Sequence, residues 1–221
     1  MNIFDILGPI MVGPSSSHTA GAVRIGLIAR KLLGEKPVKA TIGLHGSFSA
    51  TGVGHGTDRA IVAGVLGMKP DDMRVPESFI HAKECGLDFT ISSVEIKDAH
   101  PNTALLDVEG ESGRKLTVQA SSVGGGRIMV DKVDGIAVNC SCEMHTLIVH
   151  NDDKPGHISS VSGLLAKNGI NIATMSVYRH KRGGRAIMVV EVDEVIPTSL
   201  IYALREEKGI VSVTYIAKES E

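Results

Sequence analysis

Residues 145–221 alternate strand-like and helix-like segments in an order that few folds can accommodate. A β-rich run opens this stretch and is followed by a turn cluster and by apolar residues at helical spacing. Two further β-rich runs, at 170–178 and 186–192, flank a basic, glycine-rich turn and predict a hairpin. A second helix is expected after Pro197, and alternating residues at 211–216 predict a last strand. The order β-α-β-β-α-β predicts a ferredoxin-like sheet with two helices on one face and a free opposite face.

Residues 1–140 predict a different, mixed α+β unit with a mainly antiparallel sheet. Helical spacing of apolar residues indicates two helices, at 17–33 and 58–66. Strands are expected at 39–44, 89–96, 104–109, 115–121 and 127–133. The whole chain is therefore expected to be α+β with two domains, 1–140 and 145–221, and residues 135–143 are expected to connect them.

Composition excludes several function classes. The chain has 23 Lys and Arg against 25 Asp and Glu, and neither half is strongly basic, so an electrostatic nucleic-acid binder is not expected. Aromatic residues make up 3% and Trp is absent, which disfavours base stacking. No apolar run approaches the roughly 20 residues that span a bilayer, and the start lacks a secretory leader pattern. We therefore expect a cytoplasmic protein with no membrane partner.

The three cysteines are Cys85, Cys140 and Cys142. They are too few and too irregularly spaced for a disulfide framework, and a C-x-C pair is not the two-residue spacing of zinc ribbons. We expect ordinary reduced thiols and no metal site in this chain.

Residues 13–21 concentrate polar groups where a loop enters a helix. Ser15, Ser16, Ser17, His18 and Thr19 bring hydroxyls and an imidazole to the positive end of that helix, next to its free backbone N–H groups. Such a place suits a carboxylate or a phosphate. The simpler interpretation is that Ser16 or Ser17 only caps the helix.

Residues 44–59 form a second motif, in which four glycines surround His55. Thr57 or Asp58 is expected to cap the helix that follows, which would put His55 at a helix N-terminus. A cationic ring is disfavoured there, so a neutral imidazole that can accept a proton is expected, as a general base requires. The alternative is a flexible loop with an exposed histidine.

Smaller motifs are compatible either with a site or with plain turns. His100-Pro101-Asn102 precedes a strand, and residues 122–126 interrupt another. Residues 152–156 lead into the first helix of the C-terminal unit, where backbone N–H groups could receive the carboxylate of a small effector.

The motifs at 13–21, 46–58, 100–102 and 122–126 together resemble the beta chain of the iron-sulfur-dependent bacterial L-serine dehydratase, and residues 145–221 resemble an ACT regulatory domain. The resemblance covers essentially the whole chain. It implies deamination of L-serine to pyruvate and ammonia at a 4Fe-4S cluster whose open iron acts as a Lewis acid. In that family the cluster cysteines belong to the alpha chain, so an alpha chain is the implied partner.

Carried onto this sequence, the resemblance puts His18 and His55 at the active site as the catalytic residues. Elimination needs a base and an acid, and His55 is favoured as the base, although the division between the two rings stays open. The expected substrate-binding residues are the polar and glycine members of the four motifs: Ser15, Ser16, Ser17, Thr19, Gly54, Thr57, Asp58, His100, Asn102, Gly124, Gly125 and Gly126.

The ACT resemblance implies an effector site at the turn before the first helix of that unit, formed by Asn151, Asp153, Pro155, Gly156 and His157. It also implies pairing of ACT units, and hence a homodimer, through a free helix face or sheet edge.

Two other functions remain open. The N-terminal unit also resembles the allosteric substrate-binding domain of some phosphoglycerate dehydrogenases, which favours a non-catalytic, amino-acid-sensing regulatory subunit. A third possibility is an ACT-type interaction protein with an inert N-terminal half. The paired histidine motifs favour the enzyme, because a sensor needs hydroxyls and N–H groups but no proton-transfer pair.

Overall fold

The computed structural model describes residues 10–218, except for the side chain of Val53. The chain divides into two compact units, the first ending at Gly135 and the second beginning at Ile136. Both units combine helices with a sheet, which confirms the expected α+β class.

The first unit is built on strands that follow the alternating pattern of the sequence. Their order in the sheet is β2-β1-β3-β4-β5. β1 and β2 run parallel, and the other neighbouring pairs run antiparallel. Alternate residues of β3, such as Leu106 and Val108, are buried in the core of this unit. The strands are β1 (Pro37–Leu44), β2 (Asp88–Ser93), β3 (Thr103–Gly110), β4 (Lys115–Gly124) and β5 (Arg127–Val133).

Five helices accompany this sheet, among the residues that are described. Helix α1 is preceded without a break by a π-helical turn, Ser16–Gly21. Helices α2 and α3 are one turn each, and a 3-10 turn at Val75–Glu77 precedes α5. The helices are α1 (Ala22–Leu33), α2 (Ser47–Ala50), α3 (Gly52–His55), α4 (Thr57–Leu66) and α5 (Ser78–Glu84).

Helices α1 and α4 touch through their backbones at two glycines. A Cβ added to Gly26 would overlap with the carbonyl oxygen of Ile61, and one added to Gly64 would overlap with that of Val23. Glycine is therefore required at both positions, because any side chain would push the helices apart.

The second unit has the ferredoxin-like order that the sequence predicts. Its four-stranded sheet has the order β10-β7-β9-β8, with neighbouring strands antiparallel. Its core joins Leu147 and Val190 of the sheet to Leu165 and Leu204 of the helices. The elements are β6 (Ile136–Cys140), β7 (His145–Asp152), α6 (His157–Lys167), β8 (Ile172–Arg179), β9 (Arg185–Val192), α7 (Thr198–Glu206) and β10 (Ile210–Ile216).

Two expectations about this unit are wrong. The sheet face opposite the helices is not free, since Ile148, Ile187 and Val189 on that face are all buried. Residues 135–143 are not only a connection, because they contain β6, which lies close to β8 and β9. The buried side chains of Ile136 and Val138 explain this, since a strand with alternate apolar residues is stable where it can bury them.

The close contact between α1 and α4 predicts that Gly64→Ala destabilises the protein. The new methyl group would have to displace the backbone at Val23, and overpacking of this kind costs about 1–3 kcal/mol. Urea unfolding of the full chain measures the change. Gly163→Ala is the matched control: this glycine lies inside α6 with open space around it, so the change should stabilise by about 0.5–1 kcal/mol. Equal stability of Gly64→Ala and the wild type would contradict the close contact.

Candidate active site

The N-cap of the π-helical turn is Ser15, rather than Ser16 or Ser17. Its backbone is extended and its Oγ accepts a hydrogen bond from the backbone N–H of His18 at 3.1 Å. The simpler interpretation, in which Ser16 or Ser17 only caps the helix, is therefore wrong, because those residues already lie within the turn and cannot occupy the N-cap position. Both are half-buried residues of the turn itself.

The ring of His18 is held by hydroxyls from a second motif. Its Nε2 lies 3.1 Å from Ser47 Oγ and 3.1 Å from Thr51 Oγ1. The Thr51 hydroxyl donates its own proton to the Ser47 carbonyl, at 2.9 Å, so its oxygen can only accept from His18. This arrangement favours the neutral tautomer of His18 in which Nε2 carries the proton.

The ring of His55 is fixed in the opposite tautomer by the same threonine. Its Nδ1 lies 3.2 Å from the Thr51 carbonyl oxygen, which can only accept a hydrogen bond. In a neutral ring Nδ1 must then carry the proton, and Nε2 retains its lone pair. The centroids of the two imidazoles are 5.0 Å apart. The side chain of His55 is exposed, so its unprotonated nitrogen is open to a substrate.

His55 lies immediately before the N-cap of a helix, as the sequence predicts, but the cap is not the expected residue. His55 is the last residue of α3, and Gly56, with a φ of +68°, is the N-cap of α4 and makes no side-chain hydrogen bond. Thr57 Oγ1 is buried without a hydrogen-bond partner, and Asp58 accepts from its neighbour Arg59. The left-handed glycine ends one helix and starts the next, so neither Thr57 nor Asp58 is needed as a cap.

The environment of His18 lowers its pKa below 6.5. Burial is the largest cause, because it penalises the charged ring, and the neighbouring His55 adds to it. A hydrogen bond with the Ser47 backbone opposes both effects. His18 is therefore neutral at pH 7.

The remaining motifs of the first unit come together at the same place. The backbone N–H of Ser47 donates to the Pro101 carbonyl at 2.8 Å, and that of Ser122 donates to the Asn102 carbonyl at 2.9 Å. Gly46, with a φ of +56°, has no room for a side chain, because a Cβ would lie 2.6 Å from the Pro101 oxygen. His100 accepts a hydrogen bond from the Asn102 N–H at 3.1 Å.

The glycines after Ser122 form the tight turn between β4 and β5. Gly124, Gly125 and Gly126 all have positive φ values, of 103°, 61° and 76°. The Gly126 carbonyl accepts a hydrogen bond from Arg24 of α1 at 2.8 Å, so this turn is tied to the helix that begins at the serine-rich motif. Gly54 lies on α3 with open space around it.

Sequence reasoning missed three residues that contact His18. These are Ser47, Thr51 and Phe48, whose buried ring meets His18 edge-on at a centroid distance of 5.3 Å. A signal was present, since Ser47 and Thr51 are hydroxyls four residues apart and therefore face the same side of a helix.

The expected effector residues of the second unit divide into two groups. Asn151 Oδ1 and His157 Nε2 are both buried without a hydrogen-bond partner, at the turn where Gly156 starts α6. Asp153, in contrast, is already engaged: it accepts from the Gly183 N–H at 2.8 Å and from Arg179 at 2.7 Å. These two donors hold the pKa of the Asp153 carboxyl below its usual value. Pro155 is exposed.

The cysteines do not form a site for an iron-sulfur cluster. Cys140 and Cys142 form no disulfide and have their sulfur atoms 3.1 Å apart, whereas Cys85 is exposed in the first unit. Within residues 10–218, no group of three or more His, Cys, Asp or Glu side chains is arranged to hold a metal ion. Two adjacent thiols fall short even of the three that would hold a 4Fe-4S cluster with one open iron. No helix among the described residues is long and apolar enough to cross a membrane.

Comparison with known proteins extends over nearly the whole chain. Residues 2–86 match the family described as serine dehydratase beta chain, and residues 145–209 match the ACT domain. A probable L-serine dehydratase beta chain of Bacillus subtilis is 39% identical over 216 residues, which cover 98% of each chain. The L-serine dehydratase beta chain of Peptoniphilus asaccharolyticus is 36% identical over 214 residues, or 96% of each chain.

A D-3-phosphoglycerate dehydrogenase of Archaeoglobus fulgidus is also similar, with 32% identity over 129 residues. That match covers 58% of this chain but only 24% of the dehydrogenase, so it concerns a part of each protein. The matches to the two beta chains, by contrast, run from end to end. This chain belongs to the family of L-serine dehydratase beta chains, and its second unit is an ACT domain.

Proposed function

We propose that this chain is the beta subunit of a cytoplasmic L-serine ammonia-lyase, which converts L-serine to pyruvate and ammonia, and that it supplies active-site histidines. The observation that carries the proposal is the pair of imidazoles, 5.0 Å apart, held in complementary tautomers by one threonine. The names of the two full-length relatives support the same reaction.

His55 is the base in this proposal. Loss of water from serine begins with removal of the Cα proton, and the acceptor must be unprotonated and within reach of the substrate. In its neutral form His55 meets both requirements, because the Thr51 carbonyl engages Nδ1, which leaves Nε2 unprotonated, and the side chain is exposed. This hydrogen bond therefore supports His55 as the base.

His18 acts as the partner that holds the base in place. Its lowered pKa makes the cationic form scarce at pH 7, and loss of a second proton from the neutral ring would create an unstable anion. His18 is therefore a poor proton donor. Through Nε2 it contacts Ser47 and Thr51, and Thr51 in turn orients His55.

The substrate site in this proposal lies around the same two rings. In this proposal the serine-rich turn offers hydroxyls for the carboxylate of L-serine, and the loop at 100–102, which is hydrogen-bonded to Ser47 and Ser122, and the glycine turn at 124–126 complete the site. The proposed binding residues are Ser15, Ser16, Ser17, Thr19, Gly54, Thr57, Asp58, His100, Asn102, Gly124, Gly125 and Gly126.

A separate alpha chain holds the 4Fe-4S cluster in this proposal. No three cysteine, histidine or acidic side chains of the described residues are grouped to hold a metal ion, which supports placing the cluster ligands on another chain. The beta-chain names of the two relatives support a second type of chain in the enzyme.

A regulatory role is the second candidate, and one observation in the ACT unit favours it. Asn151 Oδ1 and His157 Nε2 are buried polar atoms without partners, and such atoms are costly unless a ligand or water completes their hydrogen bonds. We propose that a small amino-acid effector binds at this turn, with Asn151, Gly156 and His157 as its contacts and with Asp153 and Pro155 shaping the turn. Pairing of two ACT units into a homodimer is part of this candidate.

Reconstitution tests the proposed reaction. The chain is co-expressed with a candidate alpha chain under anaerobic conditions, and pyruvate release from L-serine is measured, with each chain alone as a control. We expect activity only in the complex, because the proposed base and the proposed cluster lie on different chains. A fully active alpha chain whose serine dependence merely shifts when this chain is added would replace the catalytic role with the regulatory one.

Replacement of His55 by Ala should lower kcat of the complex by roughly 10²–10⁴-fold, the usual contribution of a general base. Because the side chain is exposed, the unfolding free energy should change by no more than about 0.5 kcal/mol. His81→Ala is the matched control, since this histidine of the same unit forms a surface pair with Glu84, at 3.1 Å, and such pairs contribute little to stability. Equal activity of the two variants would refute the assignment of the base.

The lowered pKa of His18 predicts a pH dependence of stability. The folded protein binds this proton less tightly than the unfolded chain, so stability falls as the pH falls through 6.5 towards the lowered value. His18→Gln removes this titration and should flatten the dependence between about pH 7.5 and about pH 5.5. Urea unfolding at the two pH values measures both proteins. An unchanged slope in the variant would show that His18 is not the group responsible.

A further inference from the structure

A row of short hydrogen bonds crosses the first sheet towards the candidate active site. Asp131 Oδ2 lies 2.6 Å from Ser121 Oγ, and Ser121 Oγ lies 2.7 Å from Thr103 Oγ1. Thr103 Oγ1 in turn lies 2.6 Å from the His100 carbonyl oxygen. Thr103 and Ser121 are directly paired across β3 and β4, and both are almost fully buried.

Asp131 is placed in this row by an irregularity of the sheet. In the pairing of β4 with β5, Gln119 is opposite Lys132 and Ala120 is opposite Val130, so Asp131 is the extra residue of a β-bulge. Bulges redirect a side chain and are common next to active sites. This bulge brings the carboxyl to the hydroxyl of Ser121, which is paired with Met129 rather than with Asp131.

The number of protons that the three hydrogen bonds of this row need indicates whether Asp131 is ionised. The His100 carbonyl can only accept, so Thr103 must donate its one hydroxyl proton to it. Ser121 has one proton for two contacts, with Thr103 Oγ1 and with Asp131 Oδ2. If Asp131 is ionised, Ser121 donates to it, and the oxygens of Ser121 and Thr103 lie 2.7 Å apart with no proton between them, which is repulsive. If Asp131 is protonated, it donates to Ser121 and Ser121 donates to Thr103, so that each of the three contacts has a proton.

We propose that Asp131 is a neutral carboxylic acid at pH 7 and a positioning residue for the candidate active site, because its proton completes the hydrogen bonds that hold the loop at residues 100–102. The positioning role rests on the proposed function, whereas the protonation state does not.

The charges around Asp131 are compatible with a retained proton. Burial raises the pKa of its carboxyl above the ordinary value. The hydroxyl of Ser121 and the charges of His100 and Lys132 act in the opposite direction and are smaller effects. His100 belongs to the loop before β3, and Lys132 follows Asp131 on β5.

The loop that this row holds is in direct contact with the histidine site. The Pro101 carbonyl accepts hydrogen bonds from the backbone N–H groups at the start of α2, most closely from Ser47 at 2.8 Å. The hydroxyl of the same Ser47 lies 3.1 Å from His18 Nε2. A shift of the loop would therefore move Ser47 and, with it, the partner that fixes His18. Displacements of about 1 Å at such a distance from the chemistry can lower rates a hundredfold.

The protonation state is tested directly on the full chain labelled with ¹³C at aspartate. The carboxyl resonance of Asp131 is identified by its loss in Asp131→Asn, and its shift is followed with pH. We expect the value of a protonated acid at about pH 7, whereas an ordinary aspartate ionises near 3.9. The shift of an ionised carboxylate at that pH would overturn the proposal.

The positioning role is tested with Asp131→Ala, Asp131→Asn and a matched control, Asp107→Ala. Asp107 likewise contacts a hydroxyl across β3 and β4, where it accepts from Thr117 Oγ1, but this hydrogen bond does not lead to the loop. The readouts are amide hydrogen exchange at Ser47 in the full chain, and kcat and KM of the complex with the alpha chain.

We expect Asp131→Ala to speed exchange at Ser47 and to lower kcat by roughly tenfold or more with a smaller change in KM. Asp131→Asn should restore both, because its amide donates to Ser121 as the acid does, and Asp107→Ala should change neither. Thr103→Val removes only the hydroxyl that donates to the His100 carbonyl, so it should have the same effect as Asp131→Ala. It takes the place of Asp131→Ala if that variant does not fold. Unchanged exchange at Ser47 in Asp131→Ala and Thr103→Val, or no rescue by Asn, would overturn the positioning role. A complex without serine dehydratase activity would refute the proposed function but not the exchange result.

Discussion

The backbone contact between helices α1 and α4 sets the geometry of the first unit. Gly26 and Gly64 leave no side chain between the two helices, so their axes are fixed by backbone atoms rather than by adaptable side chains. The π-helical turn with His18 runs directly into α1, and α3 with His55 runs into α4 through a single glycine. The distance between the two imidazoles therefore depends on how closely these helices approach, although neither glycine lies at the site itself.

In the first unit, the hydrogen-bond partners of the hydroxyl and imidazole groups determine which atom carries each proton. Carbonyl oxygens accept only, so each row of hydrogen bonds that ends on one has a defined direction. The Ser47 carbonyl orders the Thr51 hydroxyl, the Thr51 carbonyl orders the ring of His55, and the His100 carbonyl orders the Thr103 hydroxyl. Preorganised groups of this kind need not reorient when charge develops during a reaction, which is an important part of enzymatic rate enhancement.

Sequence patterns were sufficient for the ferredoxin-like unit and for the main strands, because periods of two and 3.6 residues report directly on which face is buried. They also singled out His18 and His55, whose ring centroids lie 5.0 Å apart in the structure. They failed where a single conformation decides the outcome: the left-handed Gly56, rather than Thr57 or Asp58, is the N-cap of α4. Ser47 and Thr51 were missed because their role depends on a contact with His18, 29 and 33 residues away in the chain.

The exposure of His55 has a consequence for how such a site can work. A base that is open to water is solvated, and the electrostatic effects of the neighbouring groups are weakened by the high dielectric constant of the solvent. Removal of a Cα proton is aided by exclusion of water, which the open space around Gly54 and the exposed ring of His55 do not provide. Ser15 and Ser47, which contact His18, are half-buried, whereas the exposed side of the proposed site around His55 needs a second surface to close it. A site with this division of burial is suited to completion by another chain, which agrees with the proposed two-chain enzyme on physical grounds that are independent of the cysteines.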